Sequence, residues 1–112
     1  GVLSIAGALL GFEPVVGVDI EQPSIEATRE NAHANGVTVA AHLVASDAPL
    51  PTTDVAVANI SLEGIQSLEG RLDATTLVTS GYFASERPEL GGFRHAERRT
   101  LEGWASDLYV RA

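Results

Sequence analysis

Three features of the sequence predict an open α/β sheet, parallel for most of its width and finished by an antiparallel hairpin. Short apolar runs alternate with helical segments along the first 80 residues. The runs Pro14-Val15-Val16-Gly17-Val18-Asp19 and Val55-Ala56-Val57-Ala58 are apolar at successive positions, as parallel strands covered by helices are. Two polar–apolar segments separated by little more than Glu102-Gly103 close the chain.

The elements follow in order. Val2 to Leu10 is apolar with small residues interspersed and stops at Gly11, which predicts a buried helix with a glycine C-cap. The strand 14–19 follows. Pro23 at the first helical position and Asn35-Gly36 at the stop bracket a helix over 23–35. Residues 38–45 and 54–60 are the next two strands, and between them Pro49 and Pro51 keep 46–51 in a loop. A helix over roughly 62–72 leads into a buried strand from Thr75 to Ser80. After Gly81 the sequence changes character: Pro88, Gly91 and Gly92 interrupt any long helix, and strands at roughly 93–100 and 104–111 form the hairpin.

Composition limits the possibilities. A chain of 112 residues with 45% hydrophobic residues buries roughly two-thirds of its unfolded surface, enough for one core and one domain over 1–112. No apolar run approaches the ~20 residues of a membrane span, and neither a basic stretch nor a cleavage pattern flanks the apolar start, so a cytoplasmic protein is expected. The absence of cysteine excludes disulfides, thiolate metal sites and cysteine nucleophiles. All seven basic residues are arginine and methionine is absent even at position 1, so the chain reads as the continuation of a longer polypeptide. Its formal net charge is −8, and residues 1–70 hold nine acids against Arg29 alone. That balance disfavours a nucleic-acid binder and a membrane surface, and suits a basic protein partner.

Ligands of open parallel sheets bind outside the carboxyl ends of the strands, where Asp19, Asp47, Asn59 and Ser80-Gly81 fall. Asp19 can accept both hydroxyls of a ribose or serve only the dipole of the following helix. Asn59 can orient an amine through its carbonyl or cap the helix that begins near Ser61. Asp47 can accept from an exocyclic base amine or stabilise its turn. Gly1 lets backbone approach a ligand at a helix N-terminus. His33, His42 and His95 lack ligand spacing, so no metal is expected; Ser80 lacks the context of a hydrolase nucleophile. Trp104 reads as a packing anchor.

Taken in order, Gly1-Val2-Leu3-Ser4-Ile5-Ala6, Val16-Gly17-Val18-Asp19-Ile20, Glu30-Asn31 with Asn35-Gly36, Val57-Ala58-Asn59-Ile60, Thr79-Ser80-Gly81 and Trp104-Ala105 resemble one family over essentially the whole chain. It resembles the ribosomal protein L11 methyltransferases (PrmA), class I S-adenosylmethionine enzymes. The resemblance implies a Rossmann-like methyltransferase fold whose first strand and first two turn glycines would precede Gly1, together with a separate substrate-recognition domain. It implies S-adenosylmethionine as cofactor, bound by Gly1, Asp19 and Ile20, with Asp19 on the ribose and Ile20 beside the adenine; Asp47, as an acceptor for the base amine, is expected to join that cofactor site. It gives Asn59 a double part, in the cofactor site at the methionine end and as the catalytic residue near the amine. The implied reaction is attack of a protein amine on the sulfonium methyl group, with a ribosomal protein as substrate. Three other readings stand beside it: another class I methyltransferase, a nicotinamide-dinucleotide domain using the same Asp19, and a non-catalytic binding module.

Overall fold

The computed structural model describes residues 1–112, and the chain divides into two compact units, 1–48 and 49–112. No helix is long and apolar enough to cross a membrane.

The first unit runs α1 (Val2–Leu9), β1 (Val16–Asp19), α2 (Gln22–Ala34) and β2 (Ala40–Leu43). Helix α1 ends as expected: Gly11, at φ +96°, takes the left-handed conformation beyond the cap and its amide returns to the Ala8 carbonyl. Helix α2 starts one residue earlier than the sequence suggests, with Glu21 extended at the N-cap and Pro23 in the first turn, where its missing N–H leaves nothing unsatisfied. It stops at Asn35-Gly36, where Val37 N–H donates to the Ala32 carbonyl. Strands β1 and β2 pair in parallel from Val16 with Ala40 to Asp19 with Leu43. The second strand is shorter than the expected 38–45, because β1 has only four residues to offer the ladder. Ile5, Ile25, Ala32 and Ala41 are buried, and α2 packs on both strands. The expectation that this strand is covered on both faces is corrected: Val16 and Val18 are exposed, and helices cover only the side of Gly17 and Asp19.

The second unit contains β3 (Thr53–Asn59), α3 (Leu62–Gln66), β4 (Ala74–Phe83), β5 (Phe93–Leu101) and β6 (Trp104–Arg111), with strand order β3-β4-β6-β5. β3 and β4 are parallel, with Asn59 opposite Ser80; β4–β6 and β6–β5 are antiparallel. Parallel pairing and a closing antiparallel hairpin are as the sequence predicts, but the hydrogen bonds fall into a two-stranded and a four-stranded ladder instead of one open sheet. The hairpin turns through Glu102 (φ 51°) and Gly103 (φ 85°), two successive left-handed residues whose twist matches the flanking strands. The core gathers Ile65, Leu77, Tyr82, Leu90, Ala105 and Tyr109, with Ala56, Ala58 and Leu62 against it. Val55 and Val57 face outward, so β3 too is covered on one side only.

Two boundaries move. Helix α3 is half the expected length, because residues 67–71 continue as separate hydrogen-bonded turns, and Gly70 at φ +76° ends them. Strand β4 does not stop at Gly81 but runs through it to Phe83 by way of a β-bulge between Ser80 and Tyr82. Trp104 is half-exposed at the hairpin end and stacks on Phe83, with ring centroids 4.6 Å apart.

Gly81 has a φ of +104°, and a Cβ there would lie 2.3 Å from the Ile60 carbonyl oxygen. Gly81→Ala is therefore expected to destabilise the protein by about 1–3 kcal/mol, from the backbone conformation and the clash together, measured by urea unfolding. An unchanged midpoint would show that the bulge relaxes freely.

Candidate functional site

In the first unit, the carboxyl ends of β1 and β2 lie side by side, because the strands are parallel and in register there. Asp19 closes β1 half-buried. Its Oδ1 accepts the Glu21 N–H at 3.0 Å, which secures the entry into α2. Its other carboxylate oxygen has no protein partner. The reading as a support of the helix start is met by the first oxygen, and the second is left to solvent or a ligand. Gly1, the N-cap of α1, shares a cavity of about 70 Å³ with Asp19, bordered also by Ser4, Gly17, Val18, Ile25 and Thr28. Two of these glycines approach a hydroxyl closely. A Cβ on Gly1 would lie 2.6 Å from Thr28 Oγ1, and one on Gly17 would lie 2.9 Å from Ser4 Oγ. Ser4 and Thr28 were not singled out from the sequence. Their hydroxyls look like ordinary helix polar groups until α1 and α2 bring them to the same strand end. Ile20 is exposed just beyond β1, and Asp47 lies exposed in the turn after β2; neither lines that cavity.

In the second unit, Asn59 closes β3 and is exposed. The capping reading fails for it: the N-cap of α3 is Ser61, whose Oγ accepts the Gly64 N–H at 3.2 Å. The Asn59 amide is thus not engaged by the protein. The residue after it is held tightly, with Ile60 N–H donating to the Ser80 carbonyl at 3.1 Å and Gly81 packed against its backbone.

The profile of the ribosomal protein L11 methyltransferase (PrmA) family matches residues 1–105. The chain belongs to that family. A curated relative, the ribosomal protein L11 methyltransferase of Legionella pneumophila strain Lens, is 34% identical over 116 aligned positions, spanning 94% of this chain and 40% of the relative. The chain therefore spans less than half the length of that relative. The crystal structure of a ribosomal protein L11 methylase from Lactobacillus delbrueckii subsp. bulgaricus superposes with a TM-score of 0.82 at 25% identity, covering 99% of this chain and 65% of that one. The structure of a 16S rRNA methyltransferase in complex with S-adenosyl-L-homocysteine has the same fold, with a TM-score of 0.71 at 19% identity over all of this chain and 53% of its own. The α/β, Rossmann-like class I methyltransferase fold is established by these likenesses.

This member of the L11 methyltransferase family carries a second constellation that sequence reading missed. Asp107, on β6, is fully buried, and three side chains from the neighbouring strands converge on it. Its carboxylate accepts from Tyr82 Oη at 2.5 Å, from Arg98 Nε at 3.0 Å and, at 2.7 Å, faces His95 Nε2. Thr79 Oγ1 lies 2.6 Å from the Tyr82 hydroxyl. Arg98 also donates to the carbonyls of Ala84 and Glu86. The backbone explains the convergence. Thr79 and Tyr82 are three residues apart and would point to opposite faces of a regular strand, but the bulge at Gly81 returns both to one face. A second register shift, between His95 and Glu97, does the same for His95 and Arg98. A signal was present in part: Asp107 stands between Ala105 and Tyr109 at the inward period of β6, where an acid demands partners. Of the bulges that supply those partners, the first carries a signal in Gly81, a glycine inside a strand, and the second, at Ala96, carries none.

Burial alone would raise the Asp107 carboxyl, but hydrogen bonds from Arg98, Tyr82 and His95 hold it below the ordinary carboxylate value. Burial, reinforced by the bond to Asp107, lifts the Tyr82 phenol well above its usual range, and burial pushes Tyr109 up to about 12. A carboxyl depressed on folding contributes stability that is complete above its unfolded value of about 3.9 and is lost as pH falls through the folded value. Acid unfolding followed by circular dichroism below about pH 4 is expected to show a shallower pH dependence in Asp107→Asn than in the unaltered protein. Equal slopes would assign the acid sensitivity to other carboxylates, such as Asp73, which Arg111 and Thr52 hold low from the surface.

Proposed function

We propose that residues 1–112 form part of one catalytic domain that transfers a methyl group from S-adenosylmethionine to an amine of a basic ribosomal protein in the cytoplasm. The observation that carries this reading is the state of Asp19: a carboxylate at the end of β1 with one oxygen fixed by Glu21 and the other uncommitted, beside Gly1, in a chain of the L11 methyltransferase family. The residues fit the cofactor. The cavity beside Gly1 and Asp19 has room for the edge of a sugar and not for a whole nucleoside, so the base and the methionine portion would lie outside it. Asp19 would accept the ribose hydroxyls through its uncommitted oxygen, Ile20 offers an exposed apolar surface for the adenine, and Asp47 offers an acceptor in the turn after β2.

When bound, the cofactor would supply a methyl group activated on a sulfonium sulfur for transfer to a neutral amine. The protein's share is alignment, worth up to about 7–11 kcal/mol of barrier in well-oriented cases. Asn59 would supply it through its free amide carbonyl, which can accept an N–H of the attacking amine and point the lone pair away from that bond. The rigid seat of Ile60 on Ser80 and Gly81 keeps the Asn59 main chain from drifting. The acidic first 70 residues favour a basic protein over nucleic acid or a membrane surface.

Asp19→Ala is expected to weaken S-adenosylhomocysteine binding by more than about tenfold in isothermal titration, and to cost about 1 kcal/mol of stability from the lost bond to Glu21. Asp19→Asn, which keeps an acceptor for that amide, should restore the stability and only part of the affinity. Equal affinity in all three proteins would remove Asp19 from the cofactor site. Asn59→Ala is expected to lower turnover by about tenfold or more with little change in cofactor affinity; the opposite pattern would make Asn59 a cofactor contact.

A further inference from the structure

We infer that Asp107 is a positioning residue for the carboxyl end of β3, holding the Asn59-Ile60 turn in place through the bulge of β4. This rests on the methyltransferase reading above and deepens it. The chain of contacts is short and lies entirely within residues 49–112. Asp107, opposite Thr79 in the β4–β6 ladder, binds the Tyr82 hydroxyl, and Tyr82 in turn meets Thr79. These two bonds link the residues on either side of Ser80-Gly81. They can form together only when an extra residue sits between the ladder positions of Ser80 and Tyr82, so they select the bulged backbone over a regular strand. The bulge is what turns Gly81 to φ +104° and seats it on the Ile60 backbone, while the Ser80 carbonyl receives the Ile60 N–H.

Arg98 reinforces the arrangement from the far side. It binds both oxygens of Asp107 and also the carbonyls of Ala84 and Glu86, so the chain leaving β4 is held from the same carboxylate as the bulge itself. The cluster is saturated: no buried side-chain nitrogen or oxygen in the protein lacks a hydrogen-bond partner. An acid at the core of a small sheet is costly to keep, and a hydrophobic residue at 107 would fill the same place without that cost. A carboxylate there has a use that an apolar side chain has not, since only an acceptor can draw Tyr82, Arg98 and His95 to one point.

The test uses the whole chain and three variants. Tyr82→Phe removes one hydroxyl and keeps the buried ring; Asp107→Asn keeps the size of the side chain. Asp73→Asn, which breaks the ion pair with Arg111 at the opposite end of β4, controls for general loosening. Hydrogen exchange is read at the Ile60 amide against the Val44 amide, which donates to the Asp19 carbonyl outside residues 49–112. Tyr82→Phe and Asp107→Asn are each expected to speed exchange at Ile60 about tenfold over the reference amide, and Asp73→Asn to leave that ratio unchanged. Methyl transfer from S-adenosylmethionine should lose turnover in the first two variants with KM for the cofactor nearly constant, which a merely structural role would not produce. An unchanged Ile60 ratio in Tyr82→Phe, or the same acceleration in Asp73→Asn, overturns the proposal, as does faster exchange with undiminished turnover. Absence of any transfer or cofactor binding by the unaltered chain would instead overturn the methyltransferase reading, while exchange at Ile60 still decides the role of Asp107.

Discussion

A single buried carboxylate organises the larger unit of this protein. Asp107 lies at the middle of the strand that joins the hairpin to the parallel pair, and no water reaches it. A charge in that position would cost several kcal/mol if left alone. Its partners remove most of that cost, but only because β4 and β5 each carry an irregularity that turns an extra side chain inward. The two bulges, the inward aim of Tyr82 and His95, and the path of the loop held by Arg98 are consequences of satisfying one acid. The aromatic packing follows it too, since the His95 ring meets Tyr109 edge-on at 5.3 Å over the same core.

The two strand ends proposed for chemistry obey the same geometric rule. Each lies at the carboxyl end of a parallel strand, where the ladder stops and side chains are released from pairing. Asp19 uses half of its hydrogen-bonding capacity to start α2 and keeps half in reserve. Asn59 keeps its whole amide in reserve, because Ser61 performs the capping that Asn59 might otherwise have done. A glycine at close approach stands beside each reserved group, Gly17 against the Ser4 side chain and Gly81 against the Ile60 backbone.

Much of this was legible from residue patterns. Pro23, Asn35-Gly36, Gly11 and Glu102-Gly103 mark helix and turn boundaries through local backbone preferences, and the observed elements start or stop within a residue or two of those marks. The apolar runs revealed the parallel strands, although reading them as covered on both faces went too far for Val16, Val18, Val55 and Val57. Helix α3 was overestimated, because Ser67 to Arg71 have helical composition yet close as separate turns before Gly70. Trp104 was read as an anchor, and it packs on Phe83 at the surface instead of in the core.

The sequence by itself determined the order of strands and helices, the hairpin, the family and the polar residues at strand ends. Each depends on local preferences or on short ordered motifs that survive without knowledge of contacts. Only the tertiary structure decided that Ser4 and Thr28 border the cavity beside Gly1, that Ser61 and not Asn59 caps α3, and that Tyr82, His95 and Arg98 meet at Asp107, with Thr79 bound to Tyr82. Those facts depend on register. A bulge shifts every following side chain to the other face of its strand; Gly81 within a strand hints at one, nothing at Ala96 announces the other, and neither register is set before the neighbouring strand is in place.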